Sequence, residues 1–140
     1  MDTLKFIQKR YGIPPDTKSP IILPYSREKE LIKLFRKLDF KVGAEIGVST
    51  GKYSKQLARG IHTLTKLYCI DPYDAYDEYV ELHGNSGNLE QKRVYEAAKE
   101  RLAPYPKCEI ITKYSLEAAK DIPDESLDFV FIDANHTFEY

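Results

Sequence analysis

The sequence predicts a doubly wound α/β domain, a parallel sheet with helices on both faces. Three observations carry this expectation. Four short apolar segments run almost without polar interruption, as strands buried on both faces do. Stretches with the 3.6-residue period of a helix separate them. A glycine-containing turn follows the first apolar segment, where a strand hands over to a helix. At 140 residues the chain has room for one domain with a buried core.

Leu4 to Tyr11 is a short amphipathic piece, after which Pro14, Pro15, Pro20 and Pro24 forbid a long helix or a central strand. This segment reads as an arm lying over the domain. From Ser26 the pattern sharpens. Leu31, Leu34, Phe35 and Leu38 form one helical stripe, with Ser26 as N-cap, Glu28 and Glu30 early and Lys33, Arg36 and Lys37 late, as the helix dipole favours. Residues 1–39 are therefore expected to be an N-terminal arm and helix, and residues 40–140 the domain proper. Lys41 to Gly47 reads as a strand entering a turn, and Gly51 to Arg59 as a helix with Tyr53 and Leu57 on one face. Leu67 to Ile70 is a buried strand ending at Asp71-Pro72. A polar, Tyr-rich loop leads to a helix from about Leu89 to Leu102, with Asn88 and Gln91 as a capping-box-like start. Cys108 to Thr112 is a third strand, Leu116 to Lys120 a short helix, and Leu127 to Ile132 a fourth strand stopping at Asp133.

Composition excludes several classes. Lys and Arg total 21 against 22 Asp and Glu, a balance with no footprint for nucleic acid or an anionic membrane. The longest apolar run, Phe129 to Ile132, is far short of the roughly 20 residues of a membrane span. Met1 to Phe6 lacks the basic-then-apolar layout of a signal peptide. Cys69 and Cys108 cannot make a disulfide scaffold, and a reduced, cytoplasmic protein is the expectation. The balance hides an asymmetry: residues 1–60 carry a net charge of +7 and residues 61–140 a net of −8. Either a basic helical region packs beside acidic loops, or the acidic half gathers carboxylates around a cationic ligand or a metal.

In open α/β sheets, ligands bind at the carboxyl ends of the strands, near the switch in strand order. Glu45 to Lys52 should lie there. A phosphate-binding P-loop fails on spacing, because Gly47 and Gly51 are separated by three residues and Tyr53 follows Lys52. A dinucleotide fingerprint would need glycine where the chain has Ser49 and Lys52, and Glu45 would repel a pyrophosphate. The pattern that remains is E-x-G-x-[S/G]-x-G, across Glu45, Gly47, Ser49, Thr50 and Gly51. The glycines either let the backbone approach a ligand closely or serve only as turn residues. Asp71 closes the second strand, 20 residues after Gly51, placed to accept both ribose hydroxyls of an adenosine. A turn aspartate before Pro72 is the alternative. Tyr73 either covers the adenine face or is an exposed loop residue.

The Glu45–Gly51 pattern resembles motif I of the class I S-adenosylmethionine-dependent methyltransferases, and Phe131-Ile132-Asp133-Ala134-Asn135-His136 is similar to the end of strand four in their O-methyltransferase-like subset. The resemblance covers residues 40–140. It implies a Rossmann-like methyltransferase fold, with S-adenosylmethionine as cofactor and a small-molecule or sugar hydroxyl as methyl acceptor. That cofactor has no phosphate and carries two cationic groups, so a nearby carboxylate helps. By the resemblance, Glu45, Gly47, Ser49, Thr50, Gly51, Asp71, Pro72 and Tyr73 would bind the cofactor, with Ser115 at the adenine edge unless it is simply an N-cap. Asp133 would touch the methionyl part or a divalent metal such as Mg²⁺. His136 would act as general base or, alternatively, be a surface histidine. His62, His83 and His136 show no zinc-ligand spacing.

The family's domain has seven strands in the order 3-2-1-4-5-7-6, and this sequence stops after the fourth. The expectation is a fold truncated after strand four: an N-terminal fragment of a longer chain, or a homodimer pairing through the strand-four edge. A non-catalytic adenosine-binding or scaffold module is the alternative function. An NAD-dependent oxidoreductase is disfavoured by Ser49, Lys52 and Glu45.

Overall fold

The structure is a computed structural model that describes residues 2–23, 25–74 and 87–134. Four parallel strands form one sheet: β1 (Val42–Ile46), β2 (Lys66–Ile70), β3 (Cys108–Ile111) and β4 (Phe129–Ile132), in the order β3-β2-β1-β4. The helices are α1 (Thr3–Tyr11), α2 (Ile32–Lys37), α3 (Lys52–Gly60), α4 (Gly87–Leu102) and α5 (Ser115–Ala118). Strands step outward from β1 to β3, and β4 returns to the far side of β1. The switch in strand order therefore falls between β1 and β4, which positions the site.

Strand alternation divides the core between the two faces. Leu67 and Cys69 of β2 and Phe129 of β4 join Leu34, Phe35, Leu57, Ile61, Ala98 and Leu102 in a core under α2, α3 and α4. Phe6, Ile7 and Tyr11 bring α1 onto the same core. Ala44 and Ile70 face the other way and meet Ala118 of α5, with Ile46, Tyr68, Ile111, Ile122 and Leu127 around them. Helices cover both faces, as the apolar segments predict.

Several ends differ from the expected ones. The chain from Ser26 opens with a π-helical turn, Arg27–Leu31, before α2, and the Ser26 side chain makes no capping bond. α4 begins at Gly87, so Asn88 lies inside the first turn instead of capping it. Ser115 is the first residue of α5, with Tyr114 at the cap position, and a 3-10 turn, Ala119–Asp121, extends it. β4 begins at Phe129, because Asp128 is spent on a tie. Its Oδ2 accepts the N–H groups of Lys41, at 2.6 Å, and Val42, at 2.9 Å. That carboxylate joins the starts of β4 and β1 alongside the backbone bond from Asp128 N–H to Val42 O, at 2.8 Å.

β4 pairs only with β1 among the described residues, and Val130 and Ile132 are 49% and 59% exposed. Its inner register places Phe129 opposite Gly43. The Phe129 ring stacks on Phe35, centroids 4.3 Å apart, and fills the space a Gly43 side chain would need, with Cε2 2.6 Å from an ideal Cβ. Gly43→Ala should therefore destabilise the protein by about 1–3 kcal/mol through overpacking. Urea denaturation of a double-mutant cycle checks the cause: in a Phe129→Leu background the Gly43→Ala cost should shrink. An undiminished cost would assign it to the strand backbone instead.

Candidate functional site

The chain crosses from β1 to α3 through residues 47–51, directly at the switch point. Gly47 has φ +89°, and an ideal Cβ there would collide with the backbone carbonyl of Asp133 and lie 2.8 Å from Ala134 Cα. The loop passes so close to the end of β4 that only glycine fits. Ser49 is also left-handed, with φ 49°, and Tyr73 in the facing loop has φ 51°. Two strained non-glycine residues persist side by side because the bonds around them over-determine their shape.

Those bonds can be counted. Asp71 Oδ2 accepts the N–H groups of Val48, at 3.0 Å, and Ser49, at 2.9 Å, and Oδ1 accepts that of Tyr73 at 2.9 Å. The Tyr73 hydroxyl donates to the Ser49 carbonyl at 3.0 Å. Gly47 N–H donates to Ile70 O and Gly51 N–H to Val48 O, both at 2.9 Å. The Thr50 carbonyl accepts from the Arg101 guanidinium. Among the described residues, the Gly47 carbonyl and the Thr50 N–H are the backbone groups of the loop left uncommitted. Burial, and then the adjacent Asp71 carboxylate, push the Tyr73 phenol above its usual range, so it stays a proton donor to Ser49.

Beside the loop is a cleft of about 290 Å³. Gly47, Ser49, Asp71, Pro72, Ser115 and Asp133, six of the residues predicted from sequence, meet on its wall. They come from the ends of all four strands. Four of the other predicted residues, Glu45, Thr50, Gly51 and Tyr73, do not line it. Glu45 lies one layer below, because strand alternation turns it toward α3, where Ser54 Oγ donates to its carboxyl at 2.5 Å and only 1% of it is exposed. Thr50 and Gly51 turn toward α4. The Tyr73 ring packs against the core and Tyr95, centroids 4.9 Å apart. His136 lies outside the described residues.

The cleft wall carries three aspartates, Asp71, Asp74 and Asp133, against Lys113, which is itself paired with Asp121. No group of three or more His, Cys, Asp or Glu side chains converges as a metal site among the described residues, so they do not support the metal expected at Asp133. Cys69 offers no nucleophile. Its contact with the Cys108 thiol, and then burial, push its ionisation up. Sequence reasoning missed the α4 wall, Gln91 and Val94. Val94 carries the helical period, but a period cannot say whether its stripe meets core or cleft.

The family model for a methyltransferase domain matches residues 44–140. A comparison with curated proteins finds no match. Three solved structures share the fold. One is the O-methyltransferase TomG of Streptomyces achromogenes in complex with SAM: 20% identity, TM-score 0.56, covering 96% of this chain and 54% of that one. Another is an O-methyltransferase of Bacillus cereus in complex with SAH: 20% identity, TM-score 0.52, covering 95% and 52%. The third, a proposed caffeoyl-CoA O-methyltransferase of Staphylococcus aureus, shows 21% identity and a TM-score of 0.55, covering 97% and 54%. The chain thus spans about half the length of these structures.

The tight passage at Gly47 has a measurable consequence. Gly47→Ala should cost about 1–3 kcal/mol for the forbidden φ, with a steric cost on top. Gly12→Ala is the control, because Gly12 has φ +65° with nothing within 4 Å of its Cβ position. Urea denaturation should show the Gly47 variant losing clearly more stability than the Gly12 variant. Equal losses would mean that β4 yields freely and the contact constrains nothing.

Proposed function

The chain belongs to the methyltransferase-domain family, and from that premise we propose that it holds S-adenosylmethionine in the switch-point cleft and directs its methyl group to a hydroxyl of a small-molecule or sugar acceptor. One observation carries this reading: four of the loop's five backbone N–H groups, all but that of Thr50, are spent, and the cleft is rich in acceptors. A pyrophosphate needs free backbone donors at such a turn. Here the N–H groups of Gly47, Val48, Ser49 and Gly51 already have partners, and three aspartates line the wall. That environment suits a cationic, phosphate-free nucleoside and opposes NAD. The solved relatives bound to SAM and SAH are in keeping with it.

In this reading Asp71 accepts from the ribose. A carboxylate has about four acceptor sites, and three are filled by N–H groups. One hydroxyl is accepted directly, and a second requires one loop bond to open. Pro72 and Ser115 flank the adenosine, with the Tyr73 ring behind. Asp133 and the carbonyl of Gly47 receive the cationic methionyl end, with the Glu45 carboxyl in the layer below. Ser49, Thr50 and Gly51 hold the loop's path. When bound, the cofactor supplies an electrophilic methyl group on a sulfonium. The chain supplies position, and His136 is proposed to take the hydroxyl proton as the oxygen takes the methyl group, imidazole being a base suited to that role near neutrality. No helix among the described residues is long and apolar enough to cross a membrane, and we place the protein in the cytoplasm without a nucleic-acid partner.

The exposed outer edge of β4 favours a second reading, a cofactor-binding scaffold that assembles through that edge. Light scattering separates the two: a strictly monomeric chain excludes edge pairing between copies.

Calorimetric titration tests the cofactor. Wild type should bind S-adenosylhomocysteine, and Asp71→Ala should weaken binding by about 1.5–3 kcal/mol, roughly tenfold or more. NAD should not compete. Unchanged affinity removes Asp71 from the site, and displacement by NAD overturns the cofactor assignment.

A further inference from the structure

We propose that Arg101 is a positioning residue for the cofactor loop, acting from α4 through the carbonyl of Thr50; the proposal rests on the cofactor reading above. Arg101 stands 51 residues beyond Thr50, is half-buried, and donates through its guanidinium to that carbonyl. The same helical face makes a second contact with the loop. An ideal Cβ on Gly51 would lie 3.2 Å from Leu102 and 3.5 Å from Ala98. Ala98, Arg101 and Leu102 are one face of a helix by their spacing. One turn and two turns earlier, that face presents Val94 and Gln91 to the cleft.

α4 therefore touches the site twice, as wall and as clamp. Asp71 ties the first half of the loop, at Val48 and Ser49, to β2. Among the described residues, nothing but Arg101 bonds the Thr50 carbonyl. With that bond the loop enters α3 with its last free carbonyl turned to α4. Without it, the peptide between Thr50 and Gly51 keeps only the bond from Gly51 N–H to Val48 O, and that single tie and the left-handed turn at Gly51 loosen together. A planar guanidinium suits this task because it reaches a fixed acceptor with little further loss of freedom.

The experiment compares the full chain with Arg101→Met, which keeps an apolar stem and loses every donor, and with Arg101→Lys, which restores a cationic donor group. Titration with S-adenosylhomocysteine is read beside amide exchange of the ligand-free proteins. Arg101→Met should bind roughly three- to tenfold more weakly, a modest share of one charge-assisted bond, and Arg101→Lys should recover most of the loss. Exchange should quicken at Gly51 while β1 and β2 keep their protection. Equal binding by wild type and Arg101→Met overturns the proposal. So does loss of protection throughout the sheet without rescue by lysine, which would make Arg101 merely structural. If wild type binds no S-adenosylhomocysteine, the cofactor reading fails by itself. In that case an unchanged Gly51 amide overturns the clamp as well, and a quickened one upholds it.

Discussion

Asp71 is the residue on which the cleft depends. One carboxylate at the end of β2 accepts two N–H groups from the loop after β1 and one from its own following turn. Charge-assisted bonds of this kind are stronger than neutral ones, and three on one group hold two loops in a single arrangement. They also set the sign of the site. Loop N–H groups left free would form a concavity for anions. With those of Val48 and Ser49 consumed by Asp71, the cleft is left with three aspartates on its wall. Shape and electrostatic preference thus come from the same bonds.

The sheet beneath supplies the precision those bonds need. β4 sits beside β1 in a register that pairs Gly43 with Phe129 and Ile46 with Ile132. The aromatic stack of Phe129 on Phe35 closes the gap left by Gly43. At the other end Asp133 N–H donates to Ile46 O at 2.9 Å, which brings the β4 backbone against Gly47. A wider residue at Gly43 would press on the Phe129 ring at the start of the two strands, and one at Gly47 would press on the β4 backbone at the switch point. Glu45, between them, is buried on the α3 side with Ser54 as donor. A buried carboxyl is costly without such a partner.

Much of this was legible in the sequence. The four strands lie within a few residues of the apolar segments that mark them, since an apolar run is a local property. Gly47 and Asp71 stand at strand ends as their spacing implies, and the cleft joins them. The misreadings have a common cause. Asn88 and Ser115 look like caps by residue type, but α4 starts two residues earlier than a cap at Asn88 allows, and α5 starts at Ser115 itself. Glu45 carries the motif's acid, yet alternation directs it under the loop, and nothing local says that α3 covers that face.

The sequence by itself determined the strand and helix segments, the glycines that a tight turn demands, and the acidic character of the strand ends. These depend on side chains and dihedrals within a few residues of one another. Only the tertiary structure decided which atoms the cleft presents. That outcome rests on partnerships 22, 51 and 87 residues apart: Asp71 with Ser49, Arg101 with Thr50, and Asp128 with Lys41. A hydrogen bond forms only where packing brings donor and acceptor within about 3 Å in line, and no local pattern records that distance.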